Sequence, residues 1–284
     1  MKKVDFFVVG AMKAATTSLF KTLDNFDEIS CGLKKETDYF TSSKNKRITV
    51  EEYHKNFDVT CSIWGECAPN YGKRHTHPGV AQRIYDYNPK AKIIFIRRNP
   101  IKRSLSELKM YFEKGEISHD SKIHWLKNRR SKNWKRKNLE TDYAFRFGDF
   151  ESNPIIQNSR YEYQLQPYRD LFGESLLIMD FEKLTSSSCS DCFSQLFEFL
   201  NVSPINNIHL SKTHESTKRP IPSNFALFLR EKSNYLNYEK LMHRLPALRG
   251  LFLRIGFLKE SQKVWFSRSL LSDLELFFSD PKNK

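Results

Sequence analysis

From Gly10 to Ser18 the chain reads Gly-Ala-Met-Lys-Ala-Ala-Thr-Thr-Ser, one ammonium and three hydroxyls on a backbone of mostly small residues. Set between a strand and a helix, such a loop turns successive backbone N–H groups and the positive end of the helix toward an anion. Gly10, Ala14 and Ala15 let a phosphate approach the backbone closely. Thr16, Thr17 and Ser18 add hydroxyl donors, and Lys13 supplies countercharge. Aligned with the nucleotide-triphosphate loop G-x-x-x-x-G-K-[ST], Gly10 takes the first glycine, Ala15 the second and Thr16 the lysine. The lysine stands three residues earlier, inside the loop, which suits a shorter anion than a triphosphate.

A second cradle is expected at Arg98-Asn-Pro-Ile-Lys-Arg-Ser-Leu-Ser106. Arg98 ends a strand and Ser106 lies early on the next helix, so both can reach one phosphate. Asn99 is suited to cap that helix, with Pro100 at its first position. Proton transfer needs a base. The candidates are Glu36, in Lys34-Lys35-Glu36-Thr-Asp-Tyr39-Phe40, and two histidines, His75 and His77. A metal site is not expected, since neither the histidines nor the close pair Cys189 and Cys192 have further ligands nearby.

The elements that position these groups are legible as apolar runs. Asp5–Val9, Lys92–Arg97 and Leu176–Phe181 read as strands buried on both faces. Helices follow, one bearing Leu19, Phe20, Leu23 and Phe26 along a face, one running to about Phe112, and one bearing Phe193, Leu196, Phe197 and Leu200. Another covers about Tyr161–Phe172. The fold class is α/β: three layers, a central mostly parallel sheet flanked by helices, and a P-loop-like turn. Between Gly115 and Phe150 the pattern dissolves into a basic cluster, Lys127–Lys137, with Trp125 and Trp134 interleaved. A basic loop holding Lys212, Lys218, Arg219 and Pro220 follows, and the carboxy-terminal fifth reads as helical. One domain over 1–284 is expected, with its core at about 5–222 and a helical part at about 223–284.

Val8-Val-Gly-Ala-Met-Lys-Ala-Ala-Thr-Thr-Ser-Leu19 resembles the 5′-phosphosulfate loop of sulfotransferases that use 3′-phosphoadenosine-5′-phosphosulfate (PAPS), and most of all their carbohydrate, heparan sulfate-type branch and its bacterial relatives. The resemblance covers about Asp5 to Pro222. It implies that Lys13 stabilises the bridging oxygen of the leaving nucleotide, that Arg98 and Ser106 hold the 3′-phosphate, and that Glu36 is the catalytic base. Asn99 replaces the family's usual Asp. Gly65-Glu-Cys-Ala-Pro-Asn-Tyr71 is similar to a stretch near the family's acceptor cleft, with Cys67 where a Lys is common. Ser159-Arg-Tyr161-x-x-Gln164-Leu165 and Leu176–Leu184 look like the tail of the fold, and Lys218 and Arg219 correspond to the segment that closes over the nucleotide. Relatives extend further past the helix near Leu270–Phe278, implying a final helix missing here.

With 47 basic and 33 acidic residues, the chain carries a formal charge of +14, which favours anionic partners. The resemblance narrows them to PAPS as donor, with adenosine 3′,5′-bisphosphate as product, and to a glycan or glycolipid acceptor, neutral or anionic, rather than nucleic acid. Five widely spread cysteines do not form a disulfide framework. Phe6–Val9 is too short for a signal core, and no run approaches the ~20 apolar residues of a membrane helix. These features point to a soluble, cytoplasmic protein of open oligomeric state. Two alternatives remain: a kinase of related fold, which needs a lysine at position 16, and a non-catalytic polyanion-binding module built on Lys127–Lys137.

Overall fold

The computed structural model describes residues 2–41, 48–113, 122–125, 137–140, 150, 153–187, 189–203, 208, 210–211, 221–222, 258–259 and 268–283. Lys218, Arg219, Lys212, Trp134 and all of the Lys127–Lys137 cluster but the backbone of Lys137 lie outside them, as does most of the expected helical region beyond Asn224.

The elements in order are β1 (Phe6–Gly10), α1 (Thr16–Leu23), β2 (Ile29–Ser30), α2 (Val50–His54), β3 (Ile63–Cys67), α3 (Val80–Tyr87), β4 (Lys92–Arg97) and α4 (Pro100–Glu113). Then come β5 (Lys122–Trp125), β6 (Lys137–Glu140), α5 (Pro154–Gln157), α6 (Tyr161–Phe172), β7 (Leu176–Asp180), α7 (Phe181–Leu184) and α8 (Ser190–Leu200). β8 (Ile221–Pro222), β9 (Leu258–Lys259) and α9 (Arg268–Ser279) complete the set. The central sheet has the order β2-β3-β1-β4-β7, and all its pairs are parallel. Every residue of β1 is buried, as are Ile93 to Ile96 of β4. A strand buried along its whole length must be covered on both faces, which is the expected three-layer arrangement.

Two compact units make up the chain. One holds residues 1–103, 156–213 and 277–284 and contains the five-stranded sheet; the other holds 104–155 and 214–276, with the antiparallel pairs β5–β6 and β8–β9. In the first, α3 packs on α6, and Phe26 meets Phe197 of α8 with ring centroids 5.2 Å apart. α1 stops at Leu23, earlier than its apolar stripe suggested. Asp24 and Asn25 favour a turn there, so Phe26 reaches the core from beyond the helix. Asn99 caps α4 as its sequence implied, its Oδ1 accepting the Lys102 N–H at 3.0 Å. Cys189 is the N-cap residue of α8, whose Phe193, Leu196, Phe197 and Leu200 are the buried face. The segment read as patternless contains a hairpin-like pair, Trp125 opposite Lys137.

β3 escaped the sequence reading because Ile-Trp-Gly-Glu-Cys places two poor strand formers in its middle. Packing explains the glycine. Gly65 stands opposite Phe6 of β1, and a Cβ at Gly65 would collide with the Phe6 ring. Gly65→Ala is therefore expected to lower unfolding free energy by about 1–3 kcal/mol through overpacking, read as a lower urea midpoint with an unchanged m-value.

Candidate active site

All the chemistry-bearing motifs sit at the carboxyl ends of parallel strands. The Gly10–Ser18 loop follows β1, the Glu36 segment follows β2, Glu66 to Tyr71 ends β3, and Arg98 follows β4. The chain leaves β1 for β2 and β3 on one side and then crosses to β4 on the other. The strand order thus reverses at β1, and such a switch point opens a crevice where ligands bind.

The loop after β1 is tightly wound. Lys13 and Ala15 hold positive φ values of 70° and 63°, so the backbone turns sharply twice before α1. Ala11 donates to the Ile96 carbonyl of β4 at 3.0 Å, tying the loop to the neighbouring strand. Ala15, the N-cap residue of α1, makes no side-chain cap, no acidic residue occupies the first turn, and the first bond runs from Leu19 N–H to the Ala15 carbonyl at 2.9 Å. The start of such a helix carries the positive end of its dipole. Thr16 and Ser18 are buried, and Lys13 and Thr17 are half-buried. Close approach also governs Gly72: a Cβ there would lie 2.6 Å from the Val9 carbonyl oxygen.

Arg98 joins this loop. Its Nη1 donates to the Lys13 carbonyl at 2.7 Å, and its guanidinium lies 4.3 Å over the Phe181 ring that follows β7. Burial holds its pKa below the usual arginine value, and its Nε is buried without a protein partner. A buried guanidinium N–H with no acceptor is the donor an anion would satisfy. Ser106 lies on the second turn of α4, half-buried, in the second unit.

Glu36 is partly exposed, its side chain at 42% of full accessibility, and pairs with Lys35 Nζ at 2.6 Å. The two histidines differ from it. His75 Nδ1 contacts Gln164 Nε2 at 3.2 Å, beside a buried glutamine whose Oε1 accepts the Arg74 N–H. His77 is held below the usual histidine range, chiefly by burial and then by Lys73. Cys67 is fully buried and its thiol is pushed up to about 12 by desolvation, so it presents no cation to a sulfonate. Among the described residues, Lys73 brings an ammonium to the loop after β1, its Nζ 3.3 Å from Met12 Sδ. Sequence reading missed it, since nothing local marks a lysine that acts 61 positions away.

The other group missed is the most buried carboxylate in the site. Glu66 is inaccessible to solvent. Its Oε1 accepts from Thr37 N–H at 2.9 Å and Thr37 Oγ1 at 2.5 Å, and its Oε2 from Tyr53 and Tyr71 hydroxyls at 2.7 and 3.0 Å. Among the described residues, no group of three or more His, Cys, Asp or Glu is placed to hold a metal ion.

The fold has a known counterpart. A crystal structure of a sulfotransferase from Alicyclobacillus acidocaldarius superposes with a TM-score of 0.56, covering 88% of this chain and 97% of that one at 23% identity. The fold is the sulfotransferase fold. A sulfotransferase domain from the curacin biosynthetic pathway aligns with a TM-score of 0.42 over 75% of this chain and 81% of that one, at 14% identity. In sequence, 132 residues are 33% identical to the membrane-associated sulfotransferase kil1 of Dictyostelium discoideum, 45% of this chain and 25% of that protein. The chain thus spans about a quarter of the length of the curated relative it matches. No family model matches. Among the described residues, no helix is long and apolar enough to cross a membrane.

Burial raises the Glu66 pKa, and its four hydrogen-bond donors offset only part of that rise. A carboxyl that binds its proton more tightly when folded contributes stability below its unfolded pKa and loses it as pH rises through the folded value. Glu66→Gln is neutral throughout and lacks this loss. In urea unfolding, the stability difference between the two proteins is expected to move in favour of the variant as pH rises from about 4.

Proposed function

We propose that the chain is a sulfotransferase that moves the sulfuryl group of PAPS to a hydroxyl or amine acceptor. The observation that carries this reading is the 2.7 Å bond from Arg98 Nη1 to the Lys13 carbonyl. It joins the two cradles that the sequence assigned to opposite ends of one doubly phosphorylated adenosine. The uncapped start of α1 and the buried, unpartnered Arg98 Nε fit two such anions. The fold likeness and the stretch resembling kil1 support the same class.

In this reading the donor supplies the sulfuryl group. Gly10, Ala14, Ala15, Thr16, Thr17 and Ser18 hold its 5′ end, and Arg98 with Ser106 holds the 3′-phosphate. Lys218 and Arg219, which lie outside the described residues, are further contacts to its phosphates. Glu36 takes the acceptor proton as the acceptor-to-sulfur bond forms. Lys13 stabilises the oxygen released when the sulfur–oxygen bond to adenosine 3′,5′-bisphosphate breaks. The surplus of basic residues and the likeness of the loop to the carbohydrate branch favour a glycan or glycolipid acceptor, itself anionic. All five cysteines are free, which suits a reducing, cytoplasmic setting.

Thermal shift separates this donor from ordinary adenine nucleotides. At a hundredfold excess over Kd, adenosine 3′,5′-bisphosphate is expected to raise Tm by about 5–10 °C, with AMP and ATP well below it. Equal shifts with ATP would overturn the donor assignment. Lys13→Ala is expected to lower kcat at least about tenfold, roughly 1.4 kcal/mol in the barrier, with the melting curve of the free protein unchanged. Near-normal turnover in this variant would remove the role given to Lys13.

A further inference from the structure

Glu66 is a buried carboxylate that the transfer itself does not use. None of its four hydrogen-bond donors carries a charge. Burying an ionisable group without a cation is costly, and an apolar side chain would fill the same volume more cheaply. What the carboxylate supplies instead is reach in two directions. One oxygen holds the backbone and hydroxyl of Thr37, the residue after Glu36; the other holds the hydroxyls of Tyr53 in α2 and Tyr71 after β3.

Those tyrosines also grip the loop. Tyr71 accepts the Phe40 N–H at 3.4 Å, and Tyr53 stacks on Tyr39 with centroids 4.3 Å apart and planes 7° from parallel. On the other side of Glu36, Asn56 holds Leu33 and Lys34. Its carbonyl accepts the Leu33 N–H and its Oδ1 the Lys34 N–H, both at 2.8 Å. Glu36 therefore sits on a short span between two anchors, and the Glu66 anchor is the one next to it.

We infer that Glu66 is the positioning residue for Glu36: it sets where the proposed base stands without touching either substrate. The inference rests on the sulfotransferase reading and on Glu36 as its base. Removing the Glu66 anchor frees Thr37 and lets the carboxylate of Glu36 wander, while the donor cradles at β1 and β4 stay as they are. A base held an ångström out of place loses rate and leaves donor affinity alone.

Three variants of the whole chain test this: Glu66→Gln, Glu36→Gln and the two combined. Turnover is read as release of adenosine 3′,5′-bisphosphate from PAPS with a panel of soluble glycans and small alcohols. Donor-site integrity is read as Kd for the bisphosphate, and loop order as amide hydrogen exchange. Glu66→Gln is expected to cost about tenfold or more in kcat with Kd changed less than about twofold. Exchange at Thr37 and Phe40 should accelerate by about tenfold or more, with β1 and β4 amides unmoved. In the Glu36→Gln background, the second substitution should add less than about twofold, because both act through one group.

Losses that multiply, normal kcat in Glu66→Gln, or unchanged exchange at Thr37 would each overturn the positioning role while leaving Glu36 as base. Normal turnover in Glu36→Gln is the separate result that removes the base itself, and the inference with it. Thr37→Val deletes one donor and keeps the carboxylate, so it carries the same test if Glu66→Gln does not fold.

Discussion

At the centre of the sheet, the guanidinium at the end of β4 donates to a carbonyl in the loop after β1, 85 positions away in sequence. The contact is possible because β1 and β4 are adjacent and parallel, so their carboxyl ends emerge side by side. It also ties Arg98 to the backbone that presents Lys13. Stacking on Phe181 after β7 orients the guanidinium plane, and the Ala11 bond to Ile96 holds the loop to the same strand. Three strand ends thus converge on one charged group. If the register of β4 slipped by one residue, its run of four apolar residues would still be covered on both faces, but Arg98 would turn to the other face of the sheet and lose the Lys13 carbonyl.

The strands on the other side of β1 hold their loops on different terms. β2 and β3 carry fewer apolar residues than β4, and β3 has a glycine and a glutamate where β4 has an isoleucine and a phenylalanine. Gly65 is there to admit the Phe6 ring; Glu66 is there to collect donors from three segments. This part of the sheet trades strand propensity for polar connections. Satisfied networks of this kind are rigid, since each member loses a buried hydrogen bond on leaving. The β1–β4 side is built on electrostatics at helix and strand ends, and the β2–β3 side on a buried hydrogen-bonded hub.

Much of the first system was readable from local sequence. Phe6–Val9 and Lys92–Arg97 are unbroken apolar runs, and a run of that kind needs cover on both faces, so the layered α/β class followed. Asn99-Pro100 marked a helix start by its own chemistry, and the glycine, alanines and hydroxyls of Gly10–Ser18 marked an anion loop. The hub was not readable. Glu66 meets residues 29, 13 and 5 positions away, and its burial depends on β3 lying between β1 and β2. A lone glutamate beside a cysteine has no periodicity to betray it. Lys73 was hidden for the same reason, its partner Met12 lying across the switch point.

The sequence by itself determined that β1 and β4 are strands buried on both faces, where two helices start, and that a small-residue, hydroxyl-rich loop and an arginine follow those strands; β7, read in the same way, is buried only at alternate residues. Those properties are local, set by side-chain polarity and backbone preference over a few residues. Only the tertiary structure decided that the motifs touch, that Cys67 is sealed away while Lys73 reaches the loop, and that a buried carboxylate anchors the segment bearing Glu36. Each of those depends on which strand lies beside which, and strand order is settled by packing across the whole sheet.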